Sequence, residues 1–261
     1  MTSIYQCVPN FSEGRRPEVV AAIAQAIRDT PGALLIDFSS DPDHHRCVMT
    51  FLGDAEGVRA AVWNAARVAV EQIDLRAHQG VHPRAGAIDV VPVVPLQGAG
   101  REGAVELARC IGDDLANTLD IPVYFYEWSA RADRPSALPD LRRGGFEAFA
   151  ATPLVGDRAP DLGPAHAHPT AGVTVVGARG PLVAYNIQLA SPDVGIAHAI
   201  ARRIRQERDH TPALTGVRAL GLFLPSRGCA QISMNLTRPE RTSLPAVFRW
   251  VQRAAAEKGV A

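Results

Sequence analysis

The spacing of apolar residues along the chain predicts alternating strands and amphipathic helices. Apolar residues recur at three- and four-residue intervals over residues 17–28, which is typical of a helix with one buried face. An Ala- and Val-rich stretch over 56–73 predicts a second, longer helix. Short apolar runs bounded by polar, Pro or Gly positions predict strands at 4–9, 33–38, 47–52 and 88–94. The predicted order is β-α-β-β-α-β.

A second, smaller copy of this order begins near Leu182. It consists of predicted strands and helices at 183–188, 192–205, 217–224, 230–235 and 244–257. This copy stops at its second helix and is therefore one strand shorter than the first. A minimal natural form, a truncated chain and a partner that completes the sheet by strand addition are three explanations that stay open.

The residues between the two copies predict a helix over 103–120, a strand over 123–126 and a Pro-, Gly- and Arg-rich irregular segment over 131–169. So long an irregular segment is usually functional or disordered, and its aromatic and Arg content favours ordered wrapping over a surface. We predict an α/β (α+β) protein with two ferredoxin-like β-α-β-β-α units. A ligand groove is expected between them, because small-molecule sites often form between such units.

Composition and charge narrow the class of partner. The 261 residues are 47% hydrophobic, and 27 basic residues balance 27 acidic ones, so no net field favours nucleic acid or an anionic membrane. The four cysteines show no metal-ligand spacing and indicate reduced thiols in a cytoplasmic compartment. The chain shows no signal peptide and no apolar run of about 18 residues. We expect a cytoplasmic protein that acts on small molecules.

The segment HQGVHPRAGAID, residues 78–89, contains the most informative cluster of polar residues. Two histidines four residues apart could chelate a metal from one face of a helix. Gly80 lies between them, however, and Pro83 biases His82 away from the helical region, so we predict no metal here. The alternative is a rigid loop that presents the His82 imidazole beside Arg84. An imidazole titrates near neutrality and can both accept and donate a proton, and Asp89 is a candidate to orient it. An ordinary structural loop remains possible at this point.

Several long motifs occur in one order along the chain. They are CVPNFSEGR at 7–15, VEQIDLRAHQGVHPRAGAIDVVPVVP, IPVYFYE at 121–127, LRRGGFE, DLGPAHAHPTAGVTVVGAR, AYNIQL and RGCAQISMNLT at 227–237. With these motifs the chain resembles the formiminotransferase domain of the glutamate formiminotransferase family over nearly its whole length. The resemblance implies an N-terminal subdomain at 1–178 and a C-terminal subdomain at 179–261, without a cyclodeaminase domain in these residues.

The resemblance also implies a reaction. A formimino group would move from N-formimino-L-glutamate to tetrahydrofolate, as a step of histidine degradation, with His82 as general acid and base. Tetrahydrofolate would be a co-substrate, no metal would take part, and the chain would form a homodimer. The resemblance places a folate-binding loop at Gly163, Pro164, Ala165, His166, Ala167, His168, Pro169, Thr170, Ala171 and Gly172.

The donor carries two carboxylates, which guanidinium groups bind as forks. We predict Arg84 and Arg46 for this role, and Asn10 and Asn186 as polar groups at equivalent points of the two copies. The pair His44-His45 is predicted to lie solvated in a turn. Two other functions stay open, a relative that uses formylglutamate and a folate-binding or regulatory protein with little turnover. A metal-dependent hydrolase is a third class.

Overall fold

Strands and helices alternate along residues 2–260, which are the part of the chain described by the computed structural model. They divide into two units, one ending at Arg179 and the other beginning at Gly180. Each unit has its own sheet and its own hydrophobic core. The predicted mixed α/β class with two units is therefore confirmed. The groove expected between the units stays a prediction.

The first unit contains seven strands and five helices within the described residues. The strands are β1 (Tyr5–Cys7), β2 (Asn10–Phe11), β3 (Ala33–Asp41), β4 (Arg46–Gly53), β5 (Ile88–Pro95), β6 (Val123–Phe125) and β7 (Thr174–Ala178). The helices are α1 (Pro17–Arg28), α2 (Ala55–Gln72), α3 (Arg101–Leu119), α4 (Leu138–Leu141) and α5 (Gly145–Ala150).

The seven strands form one sheet in which β1 and β2 both lie between β4 and β5. β3 pairs with the outer side of β4, and β7 and β6 continue the sheet beyond β5 in parallel orientation. The strand predicted over 4–9 corresponds to β1, which is shorter because the pairing is interrupted between Cys7 and Asn10. Pro9, which lacks an N–H donor, lies in this interruption.

The buried faces of the elements follow the periods that the sequence shows. Helix α1 buries Val19, Val20, Ile23, Ala24 and Ile27, the apolar stripe of its pattern. In β4, Cys47, Met49 and Phe51 alternate with partly exposed residues and are fully buried in the same core as α1 and α2. Burying a side chain of the size of Ile or Phe stabilises the fold by about 1.5–3 kcal/mol.

Two features of the first unit were not predicted. The sequence pattern does not predict β7. This strand is buried along its whole length because it lies between β5 and β6. The segment 131–169 was expected to be irregular, but it contains α4 and α5. Phe146, Phe149 and Leu154 of this segment are buried, so it covers apolar surface as expected.

The second unit repeats the order of the first half of the chain. It contains β8 (Val183–Gln188), α6 (Val194–Glu207), β9 (Val217–Leu224), β10 (Cys229–Leu236) and α7 (Leu244–Ala256). These strands form an antiparallel sheet in the order β8-β10-β9. The central strand β10 corresponds to β4, which lies between β1 and β3 in the first unit. Within residues 2–260 no strand pairs with the outer side of β8. In the same range, no helix is long and apolar enough to cross a membrane.

Candidate active site

One small pocket in the first unit collects most of the polar side chains singled out above. It is formed by β2, the turn between β3 and β4, the start of β4, the loop after α2 and the start of β5. The lining residues are Asn10, Phe11, Ser12, His44, His45, Arg46, His78, His82, Pro83, Arg84 and Asp89. Four imidazoles, two guanidinium groups and one carboxylate thus share one cavity.

The loop that carries His82 is held by backbone contacts on two sides. The Ser12 hydroxyl donates to the Gly86 carbonyl at 2.7 Å, and the Ser12 N–H donates to the Ala87 carbonyl at 2.9 Å. On the other side, the Val173 N–H donates to the Ala85 carbonyl at 3.0 Å. A Cβ on Gly86 would lie 2.0 Å from the Val173 carbonyl oxygen, so this close approach requires glycine. The loop is therefore placed rigidly at the pocket.

His82 lies between the Pro83 carbonyl and the guanidinium of Arg46. Its Nδ1–H donates to the Pro83 carbonyl at 2.8 Å, and Nη1 of Arg46 lies over the ring, 2.7 Å from Nε2 and 3.2 Å from Nδ1. A carbonyl only accepts, so the Pro83 partner places the proton of the neutral imidazole on Nδ1. Burial, reinforced by the charges of Arg46 and Arg142, lowers the pKa of His82 well below its ordinary value of 6.5. The imidazole is therefore neutral at neutral pH.

Asp89 does not orient His82, contrary to the expectation from the sequence. Its Oδ1 accepts from the Ala85 N–H at 2.8 Å, and its Oδ2 pairs with Arg142. The Pro83 carbonyl takes the orienting role instead. Arg142 follows α4 and was not predicted, although it lies within the LRRGGFE motif. Arg142 reaches the pocket because α4 and α5 fold back over the loop that carries His82. There the Phe146 N–H donates to the Arg84 carbonyl at 3.0 Å.

His78 holds the side chain of Arg84. Its Nε2–H donates to the His45 carbonyl at 2.8 Å, and its Nδ1 accepts from Nε of Arg84 at 2.9 Å. Burial lowers the pKa of His78 to about 4, so this imidazole is also neutral. The rest of the Arg84 guanidinium forms a fork on Glu147 at 3.0 and 2.7 Å. Within the described residues, no three His, Cys, Asp or Glu side chains are grouped to bind a metal ion.

The prediction that His44 and His45 are solvated is wrong. His44 is 7% exposed, with Nδ1 3.0 Å from Oδ1 of Asp41 and its ring centre 5.9 Å from that of His82. His45 stacks on His78 with ring centres 4.0 Å apart. The turn is closed over the loop that carries His82, since the Val81 N–H donates to the Asp43 carbonyl at 3.1 Å. The sequence of this turn, two consecutive histidines among polar residues, does not predict its contact with the loop that carries His82.

Glu13 is a buried carboxylate beside the pocket, and the sequence analysis did not identify it. It is 1% exposed and accepts hydrogen bonds from the N–H groups of Arg15 and Arg16 at 2.8 and 3.0 Å. It also accepts from Nε of Arg16 at 2.6 Å and lies 3.2 Å from Nε2 of His45. Burial opposes ionisation, but these hydrogen bonds outweigh it and lower the pKa of Glu13 below 4.5. Glu13 therefore anchors the His45 side of the site as a carboxylate.

Replacement of Glu13 by Gln is expected to remove stability that the wild type has at neutral pH. The folded-state pKa is depressed, so the carboxylate stabilises the fold above pH 4.5 and loses this effect as the pH falls through the lower folded value. Urea unfolding from pH 7 to pH 3 should show the difference between the two proteins shrinking in acid. A difference that stays constant over this range would contradict the assignment.

The two predicted asparagines occupy different surroundings. Asn10 is 8% exposed, lines the pocket and donates from Nδ2 to the Val8 carbonyl at 2.9 Å. Asn186 lies in the second unit, on β8 opposite Ser233, where its side chain is exposed. It does not line the pocket around His82. The two asparagines hold equivalent positions in the two copies, but Asn10 is buried and Asn186 is exposed.

The predicted folate loop at residues 163–172 packs beside the loop that carries His82. The Leu75 and Ala87 N–H groups donate to the carbonyls of Thr170 and Ala171 at 2.9 and 2.8 Å. His168 closes this end of the loop, because its Nδ1 accepts from the Ala171 N–H at 3.0 Å. The other end is more exposed, at Gly163, Ala165 and His166. None of the ten residues lines the pocket around His82. Folate binding by this loop stays a prediction.

Comparisons with known proteins bear on the whole chain. The family model of the formiminotransferase domain, N-terminal subdomain, matches residues 4–179, and that of the formiminotransferase domain matches residues 184–261. The glutamate formimidoyltransferase of Streptococcus pyogenes serotype M1 is 38% identical over 260 residues, which cover 100% of this chain and 86% of the relative. That of Thermoplasma acidophilum is 38% identical, covering 99% and 84%.

A longer relative aligns over the same region. The formimidoyltransferase-cyclodeaminase of Sus scrofa is 42% identical over 260 residues, 98% of this chain and 48% of the relative. This chain thus corresponds to about half the length of that bifunctional protein. Two family models and relatives aligned over almost all of both lengths lead to one conclusion: this chain belongs to the formiminotransferase family.

Proposed function

We propose that this protein transfers the formimino group of N-formimino-L-glutamate to tetrahydrofolate, giving 5-formiminotetrahydrofolate and glutamate. His82 would be the general acid and base. The observation that carries the proposal is a half-buried, neutral imidazole with its proton on Nδ1, beside a guanidinium in a polar pocket. The names of the relatives, glutamate formimidoyltransferase and formimidoyltransferase-cyclodeaminase, support this chemistry.

The reaction needs one proton acceptor that later becomes a donor. His82 takes the proton that the folate nitrogen loses when it bonds to the formimino carbon. The resulting imidazolium then donates this proton to the glutamate nitrogen, which leaves as an amine when its bond to the carbon breaks. The lowered pKa keeps the resting imidazole neutral and makes the imidazolium a better proton donor to the leaving amine, while it makes the neutral ring a weaker base. General acid–base catalysis of this kind contributes about 10²–10⁴-fold.

Arg46 is better placed than Arg84 to bind a carboxylate of the donor. Arg84 already has a carboxylate fork from Glu147 and a second anchor on His78. Within residues 2–260, no carboxylate lies within salt-bridge distance of Arg46, which contacts the reacting imidazole directly. Asn10 adds a polar amide to the same pocket. We assign donor binding to Arg46 first, with Arg84 and Asn10 beside it.

The folate would bind along the loop at residues 163–172. This loop is hydrogen-bonded to Ala87, which belongs to the same 78–89 segment as His82, so a ligand on the loop would lie near the reacting group. Tetrahydrofolate enters the proposal as a co-substrate, and the pocket residues described above supply proton transfer and carboxylate binding without requiring a metal.

The decisive experiment is a turnover assay with formiminoglutamate and formylglutamate side by side, with tetrahydrofolate as acceptor. We expect the formimino donor to be preferred, and a chelator to leave its rate unchanged. Preference for the formyl donor would assign the protein to formyl transfer. Folate binding without turnover of either donor would favour the binding or regulatory function, and activity restored only by added zinc would revive the metal-dependent class.

We also propose that the protein works in the cytoplasm as a homodimer. All four cysteines are free, which suits a reducing compartment. The edge strand β3 exposes Leu34, Ile36 and Phe38, and apolar side chains grouped in this way suit an interface. Sedimentation of the purified protein at micromolar concentration tests the assembly, and a strictly monomeric species would contradict it.

A further inference from the structure

The motif LRRGGFE, residues 141–147, packs against the loop directly after His82. The Phe146 N–H donates to the Arg84 carbonyl at 3.0 Å, and the Glu147 carboxylate forms a fork on the Arg84 guanidinium at 3.0 and 2.7 Å. The Phe146 ring is buried in the core of the first unit. Backbone, side-chain and apolar contacts therefore all fix this motif to the loop.

Two glycines bend the motif so that both of its ends reach the loop. Gly144 and Gly145 have φ angles of +87° and +64°, in the left-handed region that favours glycine. A Cβ on Gly145 would lie 3.1 Å from the Arg84 carbonyl oxygen, which is closer than ordinary van der Waals contact. This tight bend brings Arg142, before the glycines, to the same loop as Phe146, after them.

The guanidinium of Arg142 lies between a buried carboxylate and the carbonyl that orients His82. Its Nη1 donates to Oδ2 of Asp89 and lies 3.4 Å from the Pro83 carbonyl oxygen. The same oxygen accepts Nδ1–H of His82 at 2.8 Å, and its two lone pairs can hold both donors at once. The Arg142 side chain is 10% exposed, and its Nε–H has no hydrogen-bond partner among the described residues. An unpartnered buried donor is costly, so the contacts of Nη1 are what hold this guanidinium in place.

We infer that Arg142 is a positioning residue for His82. Held by Asp89, it donates to the second lone pair of the Pro83 carbonyl and keeps that carbonyl turned toward Nδ1–H. The proton of the neutral ring then stays on Nδ1, and Nε2 carries the lone pair that accepts the proton of the folate nitrogen. The inference rests on the proposed function and deepens it, because it assigns the orientation of the reacting imidazole to a residue 59 positions beyond Pro83.

Arg142 also contributes to the charge at the ring of His82. The charged and titratable groups that act on this ring are Arg46 at the start of β4, His44 in the β3–β4 turn and Arg142 after α4. The charge of Arg142 is balanced by Asp89. Removing Arg142 alone leaves the Asp89 carboxylate unbalanced, which favours the imidazolium. Removing both charges together leaves the net charge unchanged, so the loss of positioning can be measured separately from the change in charge.

The ring nitrogens of His82 can be followed by ¹⁵N NMR, because protonated and unprotonated ring nitrogens have different shifts. In wild type, the proton of the neutral ring is expected on Nδ1. In the double variant Asp89→Asn with Arg142→Met, which keeps an oxygen acceptor for the Ala85 N–H, the ring should exchange between its two tautomers. In Arg142→Met alone, the midpoint of the ring titration should rise by at least about one pH unit. Arg143→Met, a change at an 81% exposed side chain, is the matched control and should behave as wild type.

Turnover of the double variant gives a second readout. We expect kcat for formimino transfer to fall at least about tenfold, because the base is no longer held in one tautomer. The KM for formiminoglutamate should stay near the wild-type value, because Arg46 and Arg84 are unchanged.

Three results would overturn the role of Arg142. They are a neutral wild-type ring with its proton on Nε2, a double variant that keeps the wild-type tautomer, and a double variant with wild-type kcat. If Arg142→Met does not fold, the double variant, which has no unpaired buried charge, decides by itself. The NMR readout uses neither folate nor donor, so a changed tautomer in a protein that transfers no formimino group would refute the proposed function and keep the role of Arg142.

Discussion

Replacing His82 with Ala is expected to lower kcat for formimino transfer by about 10²–10⁴-fold. The variant removes the one imidazole that contacts Arg46 in the pocket, so no group at that place can take the proton of the folate nitrogen and return it to glutamate. Binding of tetrahydrofolate should change little, because the loop at 163–172 is held by backbone hydrogen bonds that do not involve His82. Steady-state turnover and a separate folate-binding measurement check the two parts.

His210→Ala provides the matched control, since His210 is an exposed histidine in the second unit. It should retain wild-type turnover. Equal rates of His82→Ala and wild type would remove His82 from the mechanism. A loss of folate binding equal to the loss of turnover would instead mean that His82 supports the fold of the site.

The largest expected effect on stability is that of Asp89→Ala, which we expect to lower the free energy of unfolding by about 3–5 kcal/mol. Asp89 is 4% exposed and the side chain of Arg142 is 10% exposed, so the substitution leaves a buried guanidinium without its carboxylate. It also removes the acceptor of the Ala85 N–H, which fixes the loop after His82. Urea unfolding at pH 7 measures the change.

Asp140→Ala is the matched control, because it breaks an exposed ion pair between the same residue types, Asp140 and Arg143. Asp140 contacts Arg143 at 2.9 Å, and both side chains are at least half exposed, so the expected change is within about 1 kcal/mol. The double variant Asp89→Ala with Arg142→Met should recover part of the loss, because the buried charge disappears together with its partner. A change for Asp89→Ala no larger than that for Asp140→Ala would contradict this account.

The candidate site was only partly predictable. His82 stands out because its residue type and its neighbours Gly80 and Pro83 are local properties of the sequence. Glu13 and Arg142 do not stand out, because a carboxylate or guanidinium shows its role only through its partner. Those partners are distant in the chain: Glu13 and His45 are 32 positions apart, and Asp89 and Arg142 are 53 positions apart. The assignment of Asp89 to His82 failed for the same reason.

The sequence by itself determined the helices with an apolar stripe, most of the strands, and the repeated order of elements in the two units. These follow from the 3.6- and 2-residue periods, which act between near neighbours. Only the tertiary structure decided that β7 enters the sheet beside β5, that His44 and His45 close over the loop that carries His82, and that the guanidinium of Arg46 lies against the ring of His82. Each of these is a contact between segments far apart in the chain, and its free energy comes from burial and pairing that no local period encodes.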